Sequence, residues 1–138
     1  MIIGFFRGGS PRIVARIRLD ALSDRSRDVE FVVDTGAAVS VVQLGVVADL
    51  GVAPDDLRWL PTERNETLGG IVIHALTDAT LTFARDDETS FERKLSMRVS
   101  LAPPVTVDDA PSVLGMNALR VFRVIVSVPE SRVALEFP

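Results

Sequence analysis

The sequence predicts an all-β domain, and three observations carry that reading. Short apolar runs recur at close spacing along the whole chain, several with the period-two alternation of half-buried strands. Clusters of Gly, Pro, Asp and Ser separate them, as turns require. Hydrophobic residues make up 47% of the 138 residues and charged ones 25%, enough to bury a core in one domain spanning 1–138.

Taken in order, Gly8-Gly9-Ser10-Pro11 is a turn. Ile13 to Leu19 alternates as a strand, and the polar stretch from Ala21 to Asp28 connects it to an apolar strand from Val29 to Val33. Val39 to Leu50 reads as a strand running into a short helix, with Gly51 as its stop. Pro54-Asp55-Asp56 and Pro61 mark a loop that contains Trp59, a residue expected to pack in the core. Thr62 to Phe83 forms a long hairpin with Gly69-Gly70 near its tip, and His74 is a strand residue within it. Asp86-Asp87-Glu88 is a solvated turn, as is Asp108-Asp109, and Phe91 to Leu101 is a further strand. Pro103, Pro104 and Pro111 frame a loop. Val113-Leu114-Gly115 is a brief strand and turn, Met116 to Leu119 one helical turn, and Val121 to Val128 and Arg132 to Phe137 are closing strands joined at Pro129-Glu130-Ser131. Many short strands of this kind make a barrel or a sandwich.

Composition excludes several chemistries. The chain has no Cys, so disulfides, thiol nucleophiles and Cys-ligated metals are ruled out. Net charge is −4 and the isoelectric point about 4.9, which argues against nucleic acid as the main partner because no excess of Lys and Arg exists to neutralise phosphates. The apolar start Met1 to Phe6 is broken by Arg7, far short of a membrane span. No three-part secretory signal is visible. A soluble, cytoplasmic protein without a membrane partner is expected. The single His and the lack of a carboxylate cluster give no metal site, and no Ser sits in a nucleophile elbow.

The chemistry-bearing stretch is Phe31-Val32-Val33-Asp34-Thr35-Gly36-Ala37. An apolar strand ends at one carboxylate, and Gly36 lets the backbone turn at once. A carboxylate held at a rigid strand end among apolar groups is a candidate for acid–base work, although an ordinary Asx turn would use the same residues.

This order of features resembles the retropepsin-like aspartic proteases. The resemblance rests on Asp34-Thr35-Gly36-Ala37 after an apolar strand, on the glycine-tipped hairpin downstream, on Val113-Leu114-Gly115-Met116-Asn117-Ala118-Leu119, and on the closing strands. It covers roughly Pro11 to Phe137. The resemblance implies a closed β-barrel with one short C-terminal helix and a flap hairpin. It implies a homodimer, no cofactor, and hydrolysis of peptide bonds in a peptide or protein substrate.

Only one Asp-Thr-Gly is present and no Asp-Ser-Gly, so a two-fold axis would bring Asp34 to its own copy. The resemblance makes Asp34 the catalytic residue, with Thr35, Gly36 and Ala37 supporting its loop. It makes Gly69, Gly70 and Ile71 the flap that covers the substrate. Ala37 stands where pepsin-like enzymes often carry Ser, so activity is expected nearer neutral pH. The alternative is a non-catalytic peptide-binding or dimerisation module on the same fold. A structural β-domain with an accidental Asp-Thr-Gly is a weaker one.

Overall fold

The computed structural model describes residues 1–67, 70–101 and 111–138. In chain order its elements are β1 (Ile2–Ile3), β2 (Phe5–Arg7), β3 (Ser10–Leu19), β4 (Arg27–Val33), β5 (Val41–Val42), α1 (Leu44–Asp49), α2 (Pro54–Leu57), β6 (Thr62–Thr67), β7 (Gly70–Ala84), β8 (Ser90–Ser100), β9 (Ser112–Leu114), α3 (Met116–Leu119), β10 (Arg123–Ser127) and β11 (Arg132–Glu136). Strands dominate and the helices are one or two turns long, as the spacing of apolar runs requires.

Eight strands form one sheet in the order β2-β3-β4-β9-β5-β8-β7-β6, and an additional β3–β7 pairing joins strands from near its two ends. The remaining three make a small antiparallel sheet, β1-β11-β10. Alternation sets which face is buried. In β3, Ile13, Ala15, Ile17 and Leu19 are buried, while Val14, Arg16 and Arg18 are exposed. In β7, Ala75, Thr77, Ala79, Leu81 and Phe83 point one way into the core. Fully buried Phe31, Met97, Leu114 and Leu135 join them from four other strands.

Several expectations are corrected. Pro54-Asp55-Asp56 opens the one-turn helix α2 rather than a loop. Pro54 has no N–H to lose at a helix start, and the Asp56 carboxylate accepts the Ala53 N–H at 3.2 Å. Trp59 is not core: it is 80% exposed. Leu57 takes the buried position of that turn, and Trp59 lies outside it under the Arg58 guanidinium, 5.3 Å from the ring centroid. The start of the chain forms β1 and β2, which the sequence reading left unassigned. Val121 and Phe122 precede β10 instead of belonging to it, because the Phe122 N–H donates to Leu119 O at 2.9 Å and continues the turn of α3. The ring of Phe122 then packs against Phe83, Phe91 and Phe137 at centroid distances of 5.8, 5.6 and 5.2 Å. Asp108-Asp109 and most of the proline-framed loop lie outside the described residues.

Candidate active site

Asp34 is placed by the strand before it. β4 pairs in parallel with β9, Val33 opposite Leu114, and the Asp34 N–H extends that ladder by donating to Leu114 O at 3.0 Å. The chain then turns within three residues. Ala37 N–H donates to Asp34 O at 3.3 Å, and Gly36 N–H donates to Asp34 Oδ1 at 2.8 Å. The backbone is thus fixed on both sides of the carboxylate, and one carboxylate oxygen is held. Among the described residues none binds Oδ2.

Asp34, Thr35 and Gly36 are exposed, and Ala37 is half-buried. The described residues therefore do not give Asp34 the apolar surroundings expected for it. Among the described residues nothing buries Asp34, Thr35, Gly36 or Ala38 of this loop. Beside it opens a cavity of about 370 Å³ lined by Thr35, Gly36, Ala38, Met116, Asn117 and Arg120.

The loop rests on the segment from Leu114 to Asn117, the second stretch on which the family resemblance was based. Met116 N–H donates to Ala37 O at 2.7 Å, and Asn117 N–H to Ala38 O at 3.1 Å. Gly115 is required by this closeness rather than by its dihedral angles. Its φ is −97° and its ψ −174°, which any residue adopts. A Cβ there would lie 2.7 Å from Val39 C and 2.8 Å from Ala37 O, both backbone atoms.

Two residues that sequence reasoning missed complete the contact. Ser40 is fully buried. Its Oγ accepts the Gly115 N–H at 2.9 Å and donates to Asn117 Oδ1 at 2.8 Å. The same Oδ1 accepts the Ser40 N–H at 2.9 Å, and Asn117 Nδ2 donates to Ser96 O on β8 at 2.7 Å. Arg93, also on β8, donates twice to Asn117 O, at 3.3 and 3.0 Å. Every polar atom of the Ser40–Asn117 pair is thereby used, as burial demands. The available signal was a lone hydroxyl in the apolar run from Ala37 to Val42, which needs a partner if the run is buried.

The hairpin β6–β7 pairs Thr62 with Ala75 through to Thr67 with Gly70, and β6 is an edge strand. Gly70 has φ +118°, as a hairpin tip uses, and Gly69 lies outside the described residues. Ile71 and Ile73 share the face of Ala75, which the core buries, yet are 56% and 45% exposed. This apolar surface continues the core side of the sheet past the point where the core ends. His74 belongs to the opposite face and is buried there.

Among the described residues no group of three His, Cys, Asp or Glu is placed to hold a metal ion, and no helix is long and apolar enough to cross a membrane. No family model matches the chain, nor does any curated protein. Solved structures do. A retropepsin-like aspartic protease from Rickettsia conorii superposes with a TM-score of 0.59 at 22% identity, over 98% of this chain and 88% of that one. The EIAV protease complexed with the inhibitor HBY-793 matches with a TM-score of 0.47 at 18% identity, over 80% of this chain and 86% of the other. The first of these shows that the chain has the retropepsin-like fold.

Proposed function

We propose that this protein is an aspartic endopeptidase that works as a two-fold symmetric homodimer, with one Asp34 from each chain. The observation that carries the reading is the Asp34 loop clamped onto the Leu114-Gly115 turn, within a fold similar to that of a retropepsin-like aspartic protease. The exposure of Asp34, Thr35 and Gly36 supports a partner at this surface, since a second copy would exclude water from the loop.

The chemistry follows from two carboxylates forced together. At about 3 Å they share one proton, because both cannot ionise. The ionised one takes a proton from water as it attacks the amide carbon, and the neutral one donates its hydrogen bond to the carbonyl oxygen. The Gly36 N–H on Asp34 Oδ1 fixes the carboxylate plane without competing for the other oxygen. Thr35, exposed next to Asp34, would brace the two loops against each other. An extended peptide would lie against Ile71 and Ile73 of the hairpin and pair with its backbone. The non-catalytic alternative also has an observation in its favour: each chain brings one carboxylate, so a copy that docks without apposing the two would clamp a peptide and leave it uncut.

Digestion of a peptide library separates the two readings. The purified protein is expected to cleave it, and Asp34→Asn, which keeps shape and removes the ionisable group, is expected to abolish turnover while leaving the circular dichroism and melting unchanged. Full activity in the purified variant would end the enzyme reading.

A further inference from the structure

His74 is the only histidine in the chain, and it is buried at the root of the hairpin. It faces Glu63 across β6 and Ser100 across β8. Asn65 Nδ2 lies 2.9 Å from its Nδ1. An amide nitrogen only donates, so in this arrangement Nδ1 is the acceptor, which requires the tautomer with its proton on Nε2. Arg98 of β8 reaches over the intervening strand to Glu63 of β6, Nη2 to Oε1 at 2.9 Å and Nε to Oε2 at 3.0 Å. The edge strand β6 pairs with β7 alone. Beyond that backbone ladder, these two side-chain links, Asn65–His74 and Glu63–Arg98, tie it to the rest of the sheet.

We infer that His74 is a positioning residue for the hairpin: as a neutral acceptor it ties β6 down, and once charged it releases it. A proton on Nδ1 faces the Asn65 amide donor, so that link is lost in this arrangement and can re-form only if the amide turns its Oδ1 to the ring. The new cation also lies beside the Arg98 guanidinium and competes with it for Glu63, so the second link weakens as well. Among the described residues Glu63 is the charge beside His74 that favours the imidazolium, and it is already engaged by a two-pronged ion pair.

The direction with pH follows. Burial, and then Arg98, hold His74 below the ordinary histidine value, with Glu63 opposing. The opened hairpin therefore binds more protons than the closed one. The link contributes in full above about pH 6.5 and is lost as pH falls through the lower midpoint of the closed form. Each unit of that depression permits about a tenfold change in the opening equilibrium.

Amide hydrogen exchange on the full chain tests this without any need for activity. Protection factors, which divide out the intrinsic effect of pH, are compared from about pH 7.5 to about pH 5. Amides of β6 and of β7 from Gly70 to Ala75 are expected to lose protection several-fold while those of β3 and β4 hold. His74→Asn, whose Oδ1 replaces the Nδ1 acceptor but does not titrate, is expected to abolish the change. Constant hairpin protection in the wild-type protein, or the same loss in His74→Asn, would overturn the inference.

Should that variant not fold, the ring resonance of the wild-type protein decides. Its midpoint is expected below 6.5, with the Glu63 and Asn65 amides moving at the same midpoint. A midpoint at or above 6.5, or β6 amides that do not follow, would refute it. Only the kinetic arm rests on the proposed flap: KM for a peptide is expected to rise over the same window in the wild-type protein and not in His74→Asn. Exchange that responds while KM does not would uphold the role of His74 and count against the hairpin as substrate cover.

Discussion

Replacing Gly115 by Ala is the sharpest perturbation of the proposed site that leaves every catalytic group in place. The added Cβ would meet Val39 C at 2.7 Å and the carbonyl oxygens of Ala37 and Val39 at 2.8 Å each. None of these is the end of a flexible side chain. Restoring an ordinary contact of 3.4 Å means separating the turn from the Asp34 loop by about 0.7 Å. Such overpacking costs about 1–3 kcal/mol, and a domain of this size loses about 3–4 °C of Tm for each kcal/mol. A fall of roughly 3–12 °C is expected at fixed protein concentration, which must be held constant if the protein dimerises. The displacement also stretches the 2.7 Å bond from Met116 N–H to Ala37 O and the 2.9 Å bond from Gly115 N–H to Ser40 Oγ, which fix the far side of the catalytic loop. Since misplacement by about 1 Å can cost about a hundredfold in rate, turnover is expected to fall roughly tenfold or more. Gly45→Ala is the control. Its Cβ meets nothing within 4 Å, and alanine in α1 is expected to raise stability by up to about 1 kcal/mol. Melting curves and peptide cleavage for the two variants check the argument. If Gly115→Ala melts and cleaves like Gly45→Ala, the tight contact does not position Asp34.

Three further outcomes are expected. Ser40→Ala orphans the buried Gly115 N–H and removes one bond to Asn117, so it should cost about 2–4 kcal/mol in urea denaturation; a loss under about 0.5 kcal/mol would show that another group satisfies that N–H. Activity per chain should fall on dilution, and mixing in Asp34→Asn chains should suppress it through mixed dimers; a monomer that cleaves at every concentration would contradict the two-chain site. Ala37→Ser should place a hydroxyl donor beside the carboxylate pair, favour its charged form and move the pH–rate profile toward acid; an unchanged profile would remove the significance given to Ala37.

The parts of this fold legible in the sequence were those set by local chemistry. Alternation from Ile13 to Leu19 gave β3, and the apolar run to Val33 gave the strand that ends at Asp34. Gly115 followed by Met116 to Leu119 gave the turn and α3. Where the reading failed, a distant partner decided. Trp59 looked like core because of its size, but Leu57 occupies the buried position of that turn. Phe122 looked like strand, but its ring is drawn into the cluster of Phe83, Phe91 and Phe137. Asp34 looked desolvated because apolar residues precede it in sequence, yet in space they lie behind it and leave it exposed. Ser40 and Asn117 are far apart in sequence and meet through the pairing of β5 with β9, Val41 opposite Val113, so no local pattern joins them.

The two halves of the proposed site are held by different means, and the difference suits their roles. The Asp34 loop is bound by backbone groups at Asp34, Ala37 and Ala38 and by the pair of buried Ser40 with half-buried Asn117. Moving it would break several bonds together, the costliest being the buried one from Gly115 N–H to Ser40 Oγ, which water does not replace. The hairpin is different. Its outer strand β6 contributes no fully buried hydrophobic residue to the core, so its opening forfeits little apolar burial and is resisted mainly by one ladder and two side-chain links. A carboxylate pair gains from a fixed geometry that needs no reorganisation as charge moves. A cover must admit an extended chain and release two fragments, which requires an element whose opening is inexpensive. A single sheet meets both demands by seating Asp34 beside central strands and hanging the hairpin from its edge. The links at that edge are polar and include a histidine, so the proposed cover would respond to pH while the Asp34 loop keeps its shape.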